Sequence, residues 1–486
     1  VFGDVYNVPA GGDLETVVAA AQPNDEVVIA ASETPYELAA ALTVPAGVTV
    51  RGATGDWKDV VLRMTATGAR AVTLSADATL SAVTVTGADY AGSGAGVYIA
   101  AAGALLENCR VTGCKAANVT VENLEFCAGL GGAIVQGGVS NSFRGCVFRD
   151  LARLAVDLAW GKDHLVGDCD LYDLGRGAVH ITGSGNLRNP NGTTVDNCHI
   201  HHIGKLSHCD NAIFTEGCGF RVRHNLFHDL PQWAIFHTGG WHELTDNRVH
   251  HYMLETEDGA AFYTCNYMGG IGTVFARNWI SDGIGFGKCA GWGPLAFYVN
   301  SHGLYFDSGP GGGKIYDNVI ERVSCMALKM DSNDNQLVSN NVFHCIGRPE
   351  LLHWSYMSNL SGAPSADRPC CSNVLVRNIW TYPDCPNGTY VLVQGGADVS
   401  LQTIDYNWIC TGKEGGDPRP RGDKLSLIPW REDWQRKRGA DVHSIVSKSI
   451  AFVKPEAGDF TPRNRGIPKE LGMHPLNMKK AGLYVS

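Results

Sequence analysis

Apolar and polar positions alternate in short runs along most of this chain, and one motif returns at the head of a run. A Cys or Asn leads, followed by alternating apolar and polar residues. It reads Cys109-Arg-Val-Thr, Cys146-Val-Phe-Arg-Asp, Cys169-Asp-Leu-Tyr-Asp and Cys198-His-Ile-His-His. It continues as Asn225-Leu-Phe-His-Asp, Asn247-Arg-Val-His-His, Asn278-Trp-Ile-Ser-Asp and Asn318-Val-Ile-Glu-Arg, then at Asn341, Asn378 and Asn407. The shortest gaps are 22 or 23 residues (Cys146 to Cys169, Asn225 to Asn247, Asn318 to Asn341). A fixed period in this range predicts stacked coils, and the two-residue alternation predicts strands. Parallel strands cannot be joined by a tight hairpin, and these connections are too short for a helical crossover. The chain must therefore wind in one sense. The expected fold is all-β: a right-handed parallel β-helix, by the general preference of parallel crossovers. Stacked Asn side chains can hydrogen-bond along the axis, which explains a polar residue in a buried column.

Three regions follow from the pattern. Residues 1–47 read as an N-terminal cap, with a short helix after Asp13 that ends before Pro23. Residues 48–412 read as the β-helix, with two recognisable strands per coil. Residues 413–486 depart from the period and read as a tail packed on the β-helix, where Trp430 and Trp434 fall on one face of a helical turn.

Composition agrees: 59 glycines and only 18% charged residues suit many strands and tight turns. The net charge of −10, with no basic run, argues against a nucleic-acid partner. No stretch is long and apolar enough to span a membrane. The chain starts at Val1, and a removed signal peptide with a secreted or periplasmic location is expected. Of 16 cysteines, Cys109, Cys146, Cys169 and Cys198 share the column that Asn takes over, and read as buried thiols. Cys370 with Cys371, and Cys209 with Cys218, are the better disulfide candidates.

The period stretches to 31 residues between Asn247 and Asn278, to 40 between Asn278 and Asn318, and to 37 between Asn341 and Asn378. The extra residues must leave the coil as loops, where chemistry is usually placed on a rigid scaffold. Aligning the second strand of each coil places Asp157, His180, Glu216, His237, Tyr263, Asp307, Lys329 and Asp331 on one strip, and a one-residue slip would turn a side chain inward. The preceding loop brings His251, Glu255, Glu257 and Asp258. Two carboxyl groups on opposite sides of a sugar bond are the equipment of glycoside hydrolysis. Asp258 and Asp307, with Glu257 and Glu255, are the catalytic candidates. His237, Trp241, His251, Tyr263, Tyr305, Lys329, Asp331, Glu216, His180 and Trp292 are the substrate-binding candidates. Trp160, Trp233, Trp241, Trp292 and Trp354 could stack on sugar faces or seal loops.

The segments around His224-Asn-Leu-Phe-His-Asp, Glu255-Thr-Glu-Asp-Gly-Ala-Ala-Phe-Tyr and Gly303-Leu-Tyr-Phe-Asp-Ser resemble bacterial β-helix proteins of glycoside hydrolase family 141. The resemblance covers roughly residues 100–412. It implies a plant or algal poly- or oligosaccharide substrate, with α-L-fucosidase and xylanase among the family's activities. It places Asp258 and Asp307 at the family's acidic positions. This chain has Asp307-Ser308 where the family often has two aspartates. The signatures of polygalacturonases are absent. No cofactor is expected for a hydrolase. A polysaccharide lyase or epimerase is the alternative: Tyr263, His237 or Lys329 would then serve as base, and carboxylates could hold Ca²⁺. A non-catalytic glycan-binding β-helix is the third reading.

Overall fold

One left-handed residue turns each coil's tightest corner. Asp168 (φ 56°) precedes Cys169, Asn197 (φ 55°) precedes Cys198, Asp246 (φ 59°) precedes Asn247 and Asp317 (φ 58°) precedes Asn318. Short polar side chains tolerate this region far better than branched ones. The corner ends one strand, turns the Cys or Asn inward and starts the next strand. The computed structural model describes residues 3–90, 96–99, 104–112, 120–265, 270–287, 298–307, 311–344, 356–361, 370–381, 389–463 and 466–484. Contacts divide the chain into two units, Val1–Ser184 with Asn191–Ser207, and Gly185–Pro190 with His208–Ser486. Each is described by itself.

A coil holds three strands rather than the two the pattern suggests. In the C-terminal unit one coil runs Arg221–Arg223, then Leu226–His228, then Ile235–His237. The missed strand is the three-residue one before the corner, too short to show alternation. Each strand pairs in parallel with its equivalent in the next coil: Arg221 with Glu243, Leu226 with Arg248, and Ile235 with Phe262. The three stacks enclose the core, where Phe275 and Phe306 meet edge to face at 5.2 Å. Each such ring contributes roughly 1.5–3 kcal/mol by burial.

In the N-terminal unit, helix Leu14–Ala20 is capped by Asp13, which accepts from Thr16 N at 3.0 Å, and it buries Leu14 and Val18. The segment read as a cap also supplies coil strands. Val5–Val8 pairs in parallel with Glu26–Ile29, which pairs with Thr49–Gly52. Cys146, Cys169 and Cys198 are buried thiols in the column. The expected disulfides are not formed: Cys209, Cys218, Cys370 and Cys371 are free. Cys218 is buried in the stack while Cys209 is exposed, so their side chains face different surroundings.

In the C-terminal unit the column is a chain of amides. Asn225 Nδ2 donates to Asn247 Oδ1 at 3.0 Å, and the same bond repeats from Asn247 to Asn278 to Asn318 to Asn341 to Asn378 to Asn407 at 2.9–3.2 Å. The final acceptor is not an amide. Asn407 Nδ2 donates to Asp441 Oδ1 at 3.0 Å, and Asp441 comes from the tail. Trp434 Nε1 (3.0 Å) and Ser444 Oγ (2.6 Å) donate to the same carboxylate. Trp430 and Trp434 are buried on the helical turn Trp430–Gln435, as the sequence predicts. The tail also adds a parallel strand, Ile445–Ser447, beside Trp408–Cys410.

Candidate active site

The third strand of each coil builds an open wall, and its register sets two outward columns. In the C-terminal unit the first runs Phe214, Phe236, Tyr263, Tyr305, Lys329, each paired with the next. The second runs Cys265, Asp307, Asp331. Asp258 stands before strand Gly259–Cys265, whereas Asp307 and Asp331 close strands Ser301–Asp307 and Met326–Asp331. The carboxylates therefore come from opposite edges of the wall, with the two tyrosines and the lysine between them.

The polar contacts run diagonally from rung to rung. Tyr263 OH donates to Asp307 Oδ2 at 2.8 Å, and Tyr305 OH donates to Asp331 Oδ2 at 3.3 Å. Lys329 Nζ lies 3.9 Å from the Tyr305 ring centroid, 3.5 Å from Asp258 Oδ1 and 3.7 Å from Asp331 Oδ2. The Lys329 side chain is 15% exposed and that of Asp258 is 57% exposed, so one partner is sheltered and the other open to solvent. Asp258 has φ 55°, and its backbone is fixed by Asp258 N donating to Asn300 O at 2.9 Å. Asn300 Nδ2 adds a long contact to Asp258 Oδ1, 3.4 Å.

Burial governs the titration here. It pushes the Asp331 carboxyl above the usual carboxylate range; the Lys329 ammonium opposes this, and the neighbouring Asp307 adds to it. Tyr263 and Tyr305 are pushed far up, first by burial and then by the adjacent aspartates, so both phenols keep their protons. Behind them the wall is aromatic. Trp233 lies 4.5 Å from Tyr263, and Trp233, Phe236 and Cys265 are half-buried around Ala260, Tyr263 and Tyr305. A Cβ at Gly259 would lie 2.0 Å from Trp233 Nε1, so only glycine admits the indole.

The sequence-predicted residues divide clearly. Asp258, Asp307, Tyr263, Tyr305, Lys329 and Asp331 come together. Glu257 is half-buried in the preceding turn; Glu255 is exposed and pairs with His208. Glu216 is exposed at the end of its strand, three strands before Asp307. Trp241 is exposed in the turn that follows strand Ile235–His237. His180 belongs to the N-terminal unit, where its Nδ1 is 3.3 Å from Asp157 Oδ1. Trp292 lies outside the described residues.

Two expectations are corrected. His237 is buried, because the register pairs it with the inward Thr215 and turns Phe214 and Phe236 outward instead. Burial holds its imidazole well below the usual range, and Phe275 lies 5.5 Å away in the core. His251 sits on the strand Arg248–Tyr252 that follows the column, not on the wall, and its Nδ1 meets His250 Nδ1 at 2.8 Å. Sequence reasoning missed His302, a fully buried imidazole edge-on to Tyr305 at 5.1 Å. Its place one residue after Ser301, directly ahead of the Gly-Leu-Tyr-Phe run, was the available signal.

Three strands per coil, stacked in parallel around a closed core with an open polar wall, define the β-helix class. Residues 68–359 match the family described as right handed beta helix region, and the chain belongs to that family. Among curated proteins no sequence matches this chain. Solved structures resemble it in fold. A PL6 family polysaccharide lyase from Pseudopedobacter saltans is 12% identical over 99% of each chain, with a TM-score of 0.35. The PL6 family alginate lyase AlyGC is 10% identical over 99% of this chain and 56% of its own, with a TM-score of 0.41. The catalytic domain of a GH87 alpha-1,3-glucanase in complex with tetrasaccharides is 11% identical over 92% and 68%, with a TM-score of 0.31.

Proposed function

We propose that this chain is a glycoside hydrolase acting on a neutral poly- or oligosaccharide, with Asp258 at an acidic position the family 141 resemblance implies and Asp331, rather than Asp307, as its carboxyl partner. One observation carries the reading. A sheltered carboxyl, Asp331, and an exposed carboxylate, Asp258, share one ammonium, so their nearest oxygens are no more than about 7 Å apart, within reach of both faces of one sugar bond. Their environments differ as acid and base roles require. Asp331, whose carboxyl is pushed up by burial and by Asp307 against the opposing Lys329 ammonium, donates its proton to the leaving oxygen. Asp258 attacks the anomeric carbon or activates water. Lys329 holds the two in place, and Tyr263 and Tyr305 orient the aspartates they contact.

The lyase or epimerase reading is weaker on the same geometry. A uronate would meet three carboxylates against one ammonium. Two of its base candidates are unsuited, Tyr263 being pushed up and His237 in the core, and the third, Lys329, is held between Asp258 and Asp331.

The test is a panel of neutral and uronic-acid glycans, followed by reducing ends and by the unsaturated-uronate chromophore. Reducing ends without the chromophore are expected. Asp258→Asn and Asp331→Asn should each lower kcat/KM by roughly 10²–10⁴-fold. Asp307→Asn removes a charge that raises the Asp331 pKa, so the alkaline limb of the pH profile should move to lower pH. Appearance of the chromophore, or full activity in both Asp258→Asn and Asp331→Asn, defeats the proposal.

A further inference from the structure

We propose that the Trp160 ring is the platform of a second glycan-binding site, built wholly from the N-terminal unit and taking a neutral polysaccharide chain. The inference rests on the reading of the protein as glycan-acting. Trp160 is 76% exposed, the most open large apolar side chain among the described residues. Its backbone is left-handed, φ 61°. In the preceding coil Gln136 pairs with Ala159, which makes Gly137 (φ 74°) the matching position. That backbone suits glycine, and a bulky aromatic there is strained. The position calls for no side chain, yet it carries the largest one and leaves it in water.

The ring does not sit on a loose loop end. Trp160 N donates to Thr182 O at 3.0 Å, Asn191 Nδ2 to Gly161 O at 2.6 Å, and Lys162 N to Gly138 O at 3.1 Å. A Cβ at Gly161 would lie 1.7 Å from His164 Nε2, so glycine is required beside the tryptophan. The turn is over-determined on both sides, and the indole is held outward by it. Strain that a tightly bonded turn sustains at an exposed aromatic points to a role for the ring.

A second exposed tryptophan stands in the C-terminal unit, at a different place in the coil. Trp241 is 54% exposed at φ 60°, with Gly272 beneath its ring, where a Cβ would lie 2.7 Å from the indole. Trp241 stands in its coil where Asp163 stands in the N-terminal unit, each directly before a buried histidine set in the same way. His164 Nδ1 accepts from Asn141 N at 3.1 Å, and His164 N donates to Thr193 Oγ1 at 3.2 Å. His242 Nδ1 accepts from Phe220 N at 3.3 Å, and His242 N donates to Thr273 Oγ1 at 3.4 Å. Trp241 leaves its wall strand two coils before Asp307. Trp160 lies in the other unit, which carries none of the proposed catalytic residues. On the strand just before it, the half-buried Asp157 has one carboxylate oxygen 3.3 Å from His180 Nδ1, and the exposed ring itself offers the platform for a C–H face of the sugar.

Trp160→Gly tests this without threatening the fold, because glycine suits the backbone. Wild type and variant are run by affinity electrophoresis through gels containing xylan, xyloglucan or laminarin. Retardation of the wild type by at least one is expected, with about a tenfold loss of affinity in the variant. The variant's melting temperature should be unchanged or higher, and its turnover of short oligosaccharides of the same glycan unchanged. Absence of wild-type retardation in all three gels, or equal retardation of both proteins, overturns the proposal. Trp160-dependent retardation in a protein without hydrolase activity would sustain this site and sink the hydrolase reading.

Discussion

The thiol column of the N-terminal unit and the amide column of the C-terminal unit occupy the same place in the coil but connect it differently. Cys169 Sγ reaches two carbonyls, Gly167 O in its own coil (3.1 Å) and Phe143 O in the coil before (3.6 Å). Asn318 Nδ2 reaches the equivalent pair, Tyr316 O (3.0 Å) and Phe275 O (2.8 Å). The amide then bonds along the column more strongly than a thiol can. It donates onward to Asn341 Oδ1 at 2.9 Å, while its own oxygen accepts from Asn278 N and Nδ2 at 2.9 and 3.0 Å. A thiol is a weak donor with little acceptor strength. Burial pushes the Cys109 thiol up to about 12, so it stays a protonated filler. Thiols also run from coil to coil, Cys146 to Cys169 to Cys198, but through weak S–H contacts; amides tie every coil to the next with full N–H to O bonds.

That difference matches where the chain makes its longest excursions. Asn278 is 31 residues from its ladder neighbour Asn247 and 40 from Asn318, and these coils carry Tyr263, Asp258 and Asp307. A loop of any length can leave the coil there, because the corner is pinned independently of it. Removing one rung should therefore have the largest effect. Asn318→Ala orphans the buried Asn278 N–H and breaks the amide run, for a loss of about 3–5 kcal/mol in urea unfolding. A loss no larger than a thiol truncation would make the two columns equivalent fillers and break the comparison.

The second test concerns the column's end. Asp441 is fully buried, and burial pushes its carboxyl up to about 6 despite donors from Asn407, Trp434, Ser444 and Tyr390. A folded pKa raised above the unfolded value stabilises below about pH 4, and that contribution is lost as pH rises through 6. Wild type should lose about 2–3 kcal/mol across this window relative to Asp441→Asn, which cannot titrate. Urea unfolding of both at pH 4 and pH 7 isolates the term. Equal slopes would show that the ladder does not end on an ionisable group.

The column was legible in the sequence because a repeated residue type at a fixed period leaves a direct trace. The wall was legible in outline: two residues after each Ala or Gly (Ala155, Ala178, Ala261, Gly303, Ala327) stand Asp157, His180, Tyr263, Tyr305 and Lys329. The same offset from Ala212 and Ala234 selects Phe214 and Phe236. Preferring polar residues for an open face put Glu216 and His237 there instead, although an open wall that stacks sugars has reason to be aromatic. The bridging reach of Lys329 and the capping of the ladder by Asp441, 34 residues beyond Asn407, depend on three-dimensional closure. No local pattern encodes them.

The smallest effect sharpens the comparison from the other side. Cys169 is buried, and its sulfur sits at 3.1 and 3.6 Å from carbonyls that also lie in the parallel ladders. Cys169→Ala removes one polarizable atom, its weak contacts with those two carbonyls and its weak hydrogen bonds with Cys146 and Cys198, a softer loss than a full amide bond. A small cavity remains, and the loss should be about 1 kcal/mol. The measurement is the same urea unfolding used for Asn318→Ala, so the ratio of the two losses reads the worth of the onward amide bond directly. A Cys169→Ala loss of 3 kcal/mol or more, about that of the amide rung, would mean that packing and not hydrogen bonding sets the strength of both columns.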